Sequence, residues 1–404
     1  MNITNCRVCG SGSLEDVIDL GIQPWGNDMV TKDSVGQEKK YPLVCCFCME
    51  CSTLQVRYTV PKEIMYADHS YLSGSNKTMP KHFQKIADYV VNKYCNSDDS
   101  LAVDIGSNDG TLLRSYQNNN FRVLGVEASA EIAKIACRAG VPTIAEYFNR
   151  TIAEDIEKLH GKAMVISAAN VFYHVEELHS VVEGVKGLLD DSGIFVVQAS
   201  YLPNLIKTKA FDIMYHEHLL YYRMENLQTL LSLHDLEVFD FTFEDVHGGS
   251  IIVYAGHKGA RPVSSKVADL VKEERADNYH RIELYKDFND DIQTLGEEVK
   301  AFVLDLKKRG FSIAAYGAPV KGTVMLNYCG IDCELLDFAA EVNQMKIGKY
   351  IPGTGIQIRD ETSCEEPDYY FLLSWNFKDY FLDKRKQSNG KSKFIVPIPF
   401  PHIV

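Results

Sequence analysis

The sequence predicts an α/β fold: a doubly wound, mostly parallel sheet, preceded by a cysteine-rich segment and followed by a second, smaller α/β unit. Three observations support this prediction. Strand-like and helix-like segments alternate from Leu101 onward, which is typical of a parallel sheet covered by helices. Six of the eleven cysteines lie within residues 1–65. A second strand–helix series begins near Ser312, after a long charged stretch.

Length and composition are those of a multidomain globular chain. Its 404 residues allow two or three domains, and its apolar content of 46% is ample for buried cores. We predict a cysteine-rich domain at 1–65, a main α/β domain at 66–260, a helical connector at 261–310 and a C-terminal α/β domain at 311–404.

The charge and the hydropathy pattern argue against several classes of protein. A formal charge of −13 disfavours nucleic acid or an anionic membrane surface as the main partner. The sequence has no run of about 18 apolar residues to cross a membrane, and its first residues lack the basic and apolar regions of a secretory signal. We therefore expect a cytoplasmic protein whose cysteines are metal ligands or free thiols.

Two Cys-x-x-Cys knuckles lie at the ends of the cysteine-rich segment. Cys6 and Cys9 form the first, and Cys48 and Cys51 form the second. Together they supply the four thiolates of a tetrahedral, structural zinc site, with no position left for a substrate. A cysteine three residues before Cys48 has the same spacing; we prefer the later pair because the ligand turn should follow a strand predicted at 41–47. The alternative is a cluster of free buried thiols.

The first strand and turn of the main domain carry a nucleoside-binding pattern. After a helix predicted within 66–95, a strand at 102–105 leads into the turn Gly106–Gly110, and a second strand at 122–126 ends in Glu127. A carboxylate there can accept both ribose hydroxyls of a bound nucleoside. The Gly-x-Asn-x-Gly spacing favours S-adenosylmethionine over a dinucleotide, because no pyrophosphate needs close backbone approach. The alternative is an ordinary Gly/Asn turn.

The next strands place polar residues at the same edge of the sheet. A strand at 164–167 is followed by Asn170 and His174. Both are candidate site residues, because the carboxyl ends of strands in an open α/β sheet face the ligand crevice. The alternative is a helix cap and a surface histidine. The remaining strands are predicted at Ile194–Gln198, Glu237–Phe243 and Ser250–Tyr254, the last two as an antiparallel pair.

A dense polar cluster follows the fourth strand. From Asp212 to Tyr222, eleven residues contain two histidines, two acids and three tyrosines. In a water-excluded site, a histidine or tyrosine beside a carboxylate can act as a general base or donate to a developing enolate oxygen. The spacing of His216 and His218 differs from the i, i+4 pair of helical zinc ligands. The alternative is a solvated loop.

The C-terminal part of the chain is predicted to be helical first and α/β afterwards. Residues 263–309 are charged and have apolar residues at helical spacing, which indicates long connecting helices. A smaller Rossmann-like unit follows, with strands predicted at Ser312–Tyr316, Glu334–Ala339, Tyr370–Leu373 and Phe394–Ile398.

Taken in order, these motifs resemble those of the deoxysugar C-methyltransferases that act on 4-keto nucleotide sugars. The resemblance covers nearly the whole chain. Besides the two cysteine knuckles, it comprises Leu20–Pro24 with Asn27, Tyr71–Ser75, Ile105–Leu113, Asn170 with His174, Phe211–His218, His247–Ser250, Ala315–Gly322, Leu326–Ile331, Pro352–Thr354 and Trp375–Phe377.

The resemblance implies a zinc-bearing N-terminal domain, a class I methyltransferase domain and a C-terminal Rossmann-like domain, with the nucleotide sugar in the cleft between them. The residues that it implies around S-adenosylmethionine are Gly106, Asn108, Asp109, Gly110 and Glu127. Those that it implies around the sugar are Tyr71, Asn170, His174, Tyr215, Glu217 and His218, with Tyr222, Lys321 and Asn327 as further substrate contacts. We expect a monomer or a weak dimer.

The implied reaction is methylation of a 4-keto-deoxy nucleotide sugar at C3, through an enolate, in branched-sugar biosynthesis. A C–H bond beside a ketone is acidic enough for an enzymic base. We expect His218 to be that base, with Glu217 orienting or tuning it and Tyr215 or Tyr71 as alternative proton acceptors. The asparagine and the histidine after the third strand would hold the ketone oxygen, so that no metal is required.

The chain departs from the family pattern at three places. Gln198 replaces a glutamate, Ile251 or Ile252 stands where an arginine is usual, and Glu341 replaces an aspartate. These departures concern sugar and nucleotide specificity more than reaction type.

Two other functions compete with this one. A nicotinamide-dependent nucleotide-sugar oxidoreductase would use two Rossmann-like halves, although neither glycine turn has the dinucleotide spacing. A zinc-ribbon interaction module would leave the Tyr-His-Glu-His cluster unexplained.

Overall fold

Three β-sheets with their helices make up the chain. The sheets have four, seven and six strands and follow one another from the N-terminal to the C-terminal part. Tyr71, expected beside the sugar, lies outside the residues that the structure describes. The structure, a computed structural model, describes residues 1–65, 72–75, 78–95, 99–388 and 390–404.

The strands are numbered in chain order. They are β1 Leu14–Pro24, β2 Lys40–Cys48, β3 Leu54–Val56, β4 Leu101–Ile105, β5 Arg122–Val126, β6 Thr143–Ile144, β7 Ala163–Ala169, β8 Leu189–Ser200, β9 Leu220–Tyr221, β10 Leu236–Glu244, β11 Ser250–His257, β12 Ile313–Tyr316, β13 Ala339–Glu341, β14 Ile358–Asp360, β15 Tyr369–Leu372, β16 Lys393–Val396 and β17 His402–Ile403.

The helices are numbered in the same way. They are α1 Lys62–Met65, α2 Met79–Tyr94, α3 Thr111–Gln117, α4 Ala130–Arg138, α5 Arg150–His160, α6 Leu178–Leu188, α7 Leu202–Lys207, α8 Met224–Ser232, α9 Ser265–Ala276, α10 Ile282–Lys308, α11 Val320–Cys329 and α12 Lys378–Ser388. Among these described helices, none is both long and apolar enough to span a membrane.

The central sheet is the doubly wound sheet that the sequence predicts. Its strand order is β10-β11-β8-β7-β4-β5-β6. The strands from β4 to β8 run parallel, and β10 and β11 close the edge as an antiparallel pair. All five residues of β4 are buried, as expected for a parallel strand between two helix layers. The chain reverses its direction of winding between β4 and β7, and such a switch point is where open α/β sheets bind ligands.

The N-terminal sheet includes a strand from the polar cluster. Its order is β1-β2-β3-β9, and all neighbours are antiparallel. Strand β2 confirms the strand predicted at 41–47; Cys48 is its last residue and Cys51 lies in the turn before β3. Strand β9 begins two residues after His218 and pairs with β3. The segment that carries the polar cluster is therefore anchored in the N-terminal sheet.

The C-terminal unit is a second α/β layer structure. Its sheet has the order β14-β13-β12-β15-β16-β17, with β17 alone antiparallel among these described strands. Helices α9 and α10 confirm the prediction for 263–309. The buried residues of α10 recur at helical spacing and include Ile282, Tyr285, Phe288, Ile292, Leu295, Val299, Val303 and Leu306.

The second strand of the C-terminal unit was predicted too early. The prediction was 334–339, whereas β13 begins at Ala339. Instead, the carboxylate of Asp332 accepts a hydrogen bond from the Glu334 backbone nitrogen at 2.9 Å, and the Asp332 carbonyl accepts one from Leu336. An aspartate that bonds the backbone two residues on favours a turn over a strand.

Candidate active site and metal centre

A cavity of about 500 Å³ lies where the three parts of the chain meet. The central sheet contributes residues from the carboxyl ends of β4, β5 and β7, as the switch point predicts. Trp25 and Asn27 line it from the N-terminal part, and Lys321 and Lys346 line it from the C-terminal part. The cavity therefore brings together segments that lie up to about 350 residues apart in sequence.

The turn after β4 requires glycine at two positions. Gly106 and Gly110 have φ angles of 66° and 76°, in the left-handed region. A Cβ on Gly106 would lie 2.6 Å from Val171 Cγ2, and one on Gly110 would lie 2.8 Å from Val141 Cγ2. The turn is therefore closely packed as well as tightly bent, and Gly106 and Asn108 line the cavity.

Glu127 follows β5 and lines the cavity on the same side. Its Oε2 accepts a hydrogen bond from the backbone nitrogen of Asn108 at 2.9 Å, and its Oε1 accepts one from Ser129 at 2.8 Å. Burial raises the pKa of this carboxyl group, and the two backbone donors oppose that shift. The turn and the acid are thus held together as one unit at the cavity wall.

Asp109 holds the turn from outside the cavity. Its Oδ2 accepts a hydrogen bond from the Gly74 backbone nitrogen at 2.8 Å, and its Oδ1 accepts one from the Thr111 hydroxyl at 2.5 Å. Neither Asp109 nor Gly110 lines the cavity. Asp109 therefore ties the turn to the segment before α2.

The Tyr215–His218 segment forms an aromatic group at the cavity wall. The ring of His218 lies 3.8 Å from that of Tyr215, 4.4 Å from that of Tyr173 and 5.1 Å from that of His174, measured between centroids. All four residues line the cavity. The structure thus brings three of the predicted residues together. Tyr173 was not predicted, although it directly precedes His174.

Glu217 is a buried carboxylate with two side-chain donors. Its Oε1 accepts hydrogen bonds from Trp25 Nε1 at 2.6 Å and from Asn27 Nδ2 at 2.8 Å. Burial raises the pKa of Glu217 to about 7, while these donors and the charge of Lys346 act to lower it. The sequence alone indicates no role for these two donors, because nothing in the local pattern links residues about 190 positions apart.

His174 is held in a defined orientation by the same segment. Its Nδ1 lies 2.7 Å from the carbonyl oxygen of Glu217. Because a carbonyl can only accept, Nδ1 carries the proton and Nε2 of the neutral ring is an acceptor. A protonated ring would donate from both nitrogens. His174 can therefore donate to a ketone oxygen only as an imidazolium.

Asn170 lies at the end of β7 in an unusual backbone conformation. Its φ angle is 58°, and its backbone nitrogen donates to the carbonyl of Gln198 at 2.9 Å. Its side-chain Oδ1 is buried, without a hydrogen-bond partner in the described part of the chain. Strained backbone and an unsatisfied polar atom at a cavity wall are typical of a binding position.

The three further substrate residues predicted from the resemblance do not share one environment. Lys321 lines the cavity, lies 4.4 Å from the ring of Trp375, and has a pKa that burial lowers to about 8. Tyr222 and Asn327 do not line it. The Tyr222 hydroxyl donates to the Phe172 carbonyl at 3.2 Å within the core, and Asn327 Nδ2 donates to the carbonyls of Thr323 and Pro352.

The four predicted zinc ligands converge. The sulfur atoms of Cys6, Cys9, Cys48 and Cys51 all lie within 4.8 Å of one another, and the pairs Cys6–Cys51 and Cys9–Cys48 are 3.5 Å apart. A tetrahedral site with Zn–S bonds of about 2.3 Å places its sulfurs about 3.8 Å apart. The donor set therefore fits a structural zinc ion, and none of the four cysteines lines the cavity.

Cys45 and Cys46 are not part of this set. Cys45 lies in the hydrophobic core with Phe47 and Tyr221, and burial raises the pKa of both extra thiols. The second knuckle therefore consists of Cys48 and Cys51, as predicted from the preceding strand.

Known families match all three parts of the chain. Residues 6–66 match a domain described as zinc-binding, residues 77–240 match a methyltransferase domain, and residues 245–399 match the C-methyltransferase C-terminal domain. The three matches occur in the order of the three sheets.

A full-length relative and two solved structures are also similar. The C-methyltransferase NovU of Streptomyces niveus is 33% identical over 408 residues, which span 100% of this chain and 97% of NovU. Magnesium protoporphyrin IX methyltransferase from Synechocystis aligns at 14% identity with a TM-score of 0.35, covering 48% of this chain and 92% of its own. The N1-methyltransferase of 1,6-didemethyltoxoflavin from Burkholderia thailandensis aligns at 14% identity with a TM-score of 0.37, covering 52% and 97%. On the strength of the full-length match, the chain belongs to the S-adenosylmethionine-dependent C-methyltransferases with an N-terminal zinc-binding domain.

Proposed function

We propose that this enzyme methylates C3 of a nucleotide-linked 4-keto-deoxy sugar through an enolate, in the biosynthesis of a branched sugar. The observation that carries the proposal is the single cavity that joins the Gly106–Glu127 side to the Tyr215–His218 side. A methyl donor at the first side and a sugar at the second would be neighbours within one enclosed space.

The chain offers a base and donors for such a reaction. His218 is buried among Tyr215, Tyr173 and His174, so it meets the substrate away from bulk water. In the proposed step, His218 takes the proton from C3, and the electron pair of the C–H bond moves into the enolate. S-adenosylmethionine, when held by Gly106, Asn108 and Glu127, would supply the methyl group for that carbon, with its S–CH3 bond broken and S-adenosylhomocysteine as the leaving group.

The oxygen of the enolate needs hydrogen-bond donors. Asn170 and His174 both line the cavity, and the ring of His174 lies 5.1 Å from that of the proposed base. His174 supplies a donor in its imidazolium form, because its Nδ1 is already directed to the Glu217 carbonyl. Asn170 supplies an amide group from a fixed backbone position, which costs no reorganisation during the reaction.

The substrate class is tested by incubating the enzyme with S-adenosylmethionine and a panel of nucleotide-linked sugars. We expect mass spectrometry to show a gain of one methylene unit for 4-keto-deoxy sugars and no gain for the corresponding 4-hydroxy sugars. Equal methylation of both would contradict the enolate route. Calorimetric titration should show binding of S-adenosylhomocysteine and no binding of NADP, which a nicotinamide-dependent oxidoreductase would bind.

A further inference from the structure

The carboxylate of Glu217 has an environment that the reaction proposed above does not explain. It is buried at the cavity wall, and both of its side-chain hydrogen bonds come from the N-terminal part of the chain. Trp25 and Asn27 donate to the same oxygen, Oε1. In the described part of the chain, no hydrogen bond to Oε2 is present, so this second oxygen remains available on the cavity side.

The segment that carries the two donors is itself fixed from two directions. It follows directly from β1, and the Asp28 backbone nitrogen closes a turn onto the Trp25 carbonyl at 3.1 Å. On the other side, Thr323 of α11 donates its hydroxyl to the Gly26 carbonyl at 3.2 Å. A Cβ on Gly26 would lie 2.7 Å from Val320 Cγ1, so the backbone here is pressed against α11. The donors therefore have little freedom to move away from Glu217.

We propose that Trp25 and Asn27 are positioning residues that hold one oxygen of the Glu217 carboxylate and thereby direct the other, in ionised form, toward the bound substrate. This inference rests on the proposed function for the identity of that substrate, but not for the geometry. An ionised carboxylate at this wall accepts a hydrogen bond from a sugar hydroxyl and stabilises an imidazolium on the adjacent His218. The N-terminal part would then contribute directly to the active site.

The effect of the two donors can be measured through the pKa of Glu217. Among the described residues, Lys346 of the C-terminal part is the charged side chain that acts on this carboxylate. The same cavity is also lined by the titratable groups of Tyr173, His174, Tyr215, His218 and Lys321. Burial raises the pKa of Glu217 to about 7, and each donor opposes the shift. Removing one charge-assisted hydrogen bond should therefore raise this pKa further, by about one unit or more.

The test is a pH titration of the Glu217 carboxyl group by difference infrared spectroscopy on the full-length protein, with Glu217→Gln used to assign the band. Trp25→Phe keeps the ring and removes the N–H, and Asn27→Leu keeps the shape and removes the amide. We expect each to raise the pKa of the band by about one unit or more. Asn289→Leu is the matched control, because Asn289 also fixes β1, through the Asp19 backbone nitrogen at 3.0 Å, but lies outside the cavity.

An unchanged titration in both variants, with the native circular dichroism spectrum retained, would overturn the proposal. The infrared titration needs no substrate, so it stands even if no 4-keto sugar is methylated and the proposed function fails. With an active substrate, Trp25→Phe and Asn27→Leu should lower kcat about tenfold at neutral pH and shift the pH–kcat profile by the same amount as the infrared band. A changed KM with an unshifted kcat profile would show that the donors serve binding alone and would also overturn it.

Discussion

At the scale of single residues, two buried glutamates at the cavity have different surroundings. Glu127 receives two backbone N–H groups, whereas Glu217 receives two side-chain donors from a distant segment. One of these backbone donors belongs to the turn after β4 and the other to the segment just after Glu127, so Glu127 is fixed by the local backbone of the central sheet. Glu217 depends on the packing of three parts of the chain. We therefore expect Glu217 to respond more strongly to distant changes.

Replacement of Glu217 by Gln should change how stability depends on pH. Burial raises the pKa of Glu217 from 4.5 to about 7, so the folded state disfavours the ionised form. Below pH 4.5 the group is protonated in both states, and above pH 7 it is ionised in both. The wild type should thus lose up to about 3 kcal/mol of unfolding free energy, relative to Glu217→Gln, as the pH rises through this window.

Urea unfolding of both proteins at pH 4.5 and pH 8 measures this difference. Glu297→Gln, at an exposed position of α10, is the matched control and should show a far smaller pH effect. A constant difference between wild type and Glu217→Gln across the window would contradict the account of Glu217.

His218→Ala should abolish methylation without affecting the methyl-donor site. Loss of a general base lowers turnover by about 10²–10⁴-fold. The His218 ring packs against Tyr215 and Tyr173, whereas the proposed methyl-donor residue Gly106 belongs to the turn after β4. We expect S-adenosylhomocysteine to bind the variant as it binds the wild type. His234→Ala, a half-buried histidine paired with His179, is the control. Retained turnover in His218→Ala would exclude His218 as the base.

Sequence reasoning finds a functional residue when its neighbours in sequence carry the signal. Asn170 and His174 follow a strand end, so their place at the cavity could be predicted. Trp25 lies 192 residues from Glu217, and no local pattern encodes that hydrogen bond. Conversely, Tyr222 belongs to a polar-looking segment, but its hydroxyl is satisfied inside the core. Only the tertiary packing separates these cases.

At the scale of elements, we expect the turn after β4 to determine whether the methyl donor can bind. Gly106→Ala places a Cβ 2.6 Å from Val171 in a left-handed conformation that costs about 1–2 kcal/mol for other residues. The turn must shift, and we expect affinity for S-adenosylhomocysteine, measured by calorimetry, to fall at least about tenfold. Gly187→Ala in α6, where a Cβ has open space, should leave affinity unchanged. Equal affinity in both variants would contradict this role of the turn.

Zinc should stabilise the N-terminal sheet and, through it, the position of Trp25 and Asn27. Elemental analysis should find one zinc ion per chain. Replacing Cys9 and Cys51 by Ser should remove the ion, lower Tm by on the order of 10 °C and reduce methylation, because β1 leads directly into the two donors. Cys137→Ser, at an exposed cysteine, is the control. Full activity without zinc would contradict the coupling.

Elements were predictable where a buried strand has a uniform apolar pattern. Strands β4 and β5 agree with prediction to within one residue, since both are short, apolar and followed by a turn. The prediction for β13 was wrong because the apolar residues at 335–336 belong to a turn that Asp332 closes. Strand β9 was not predicted, because a strand of two residues is too short to show an alternation of apolar and polar residues.

At the scale of the whole molecule, the active site belongs to no single part of the chain. The methyltransferase sheet holds the glycine turn, the N-terminal part holds Glu217, and Lys321 and Lys346 close the cavity from the C-terminal part. Exclusion of water by these three parts would protect the proposed enolate from reprotonation. Each of the three matched segments therefore contributes residues to this one cavity.

The most direct test of carbon methylation is nuclear magnetic resonance of the product formed from S-adenosylmethionine with a ¹³C-labelled methyl group. We expect the labelled carbon to couple to C3 of the sugar, and C3–H to exchange with solvent deuterium when the methyl donor is omitted. A labelled methyl group on oxygen, or on a carbon not adjacent to the ketone, would contradict the account.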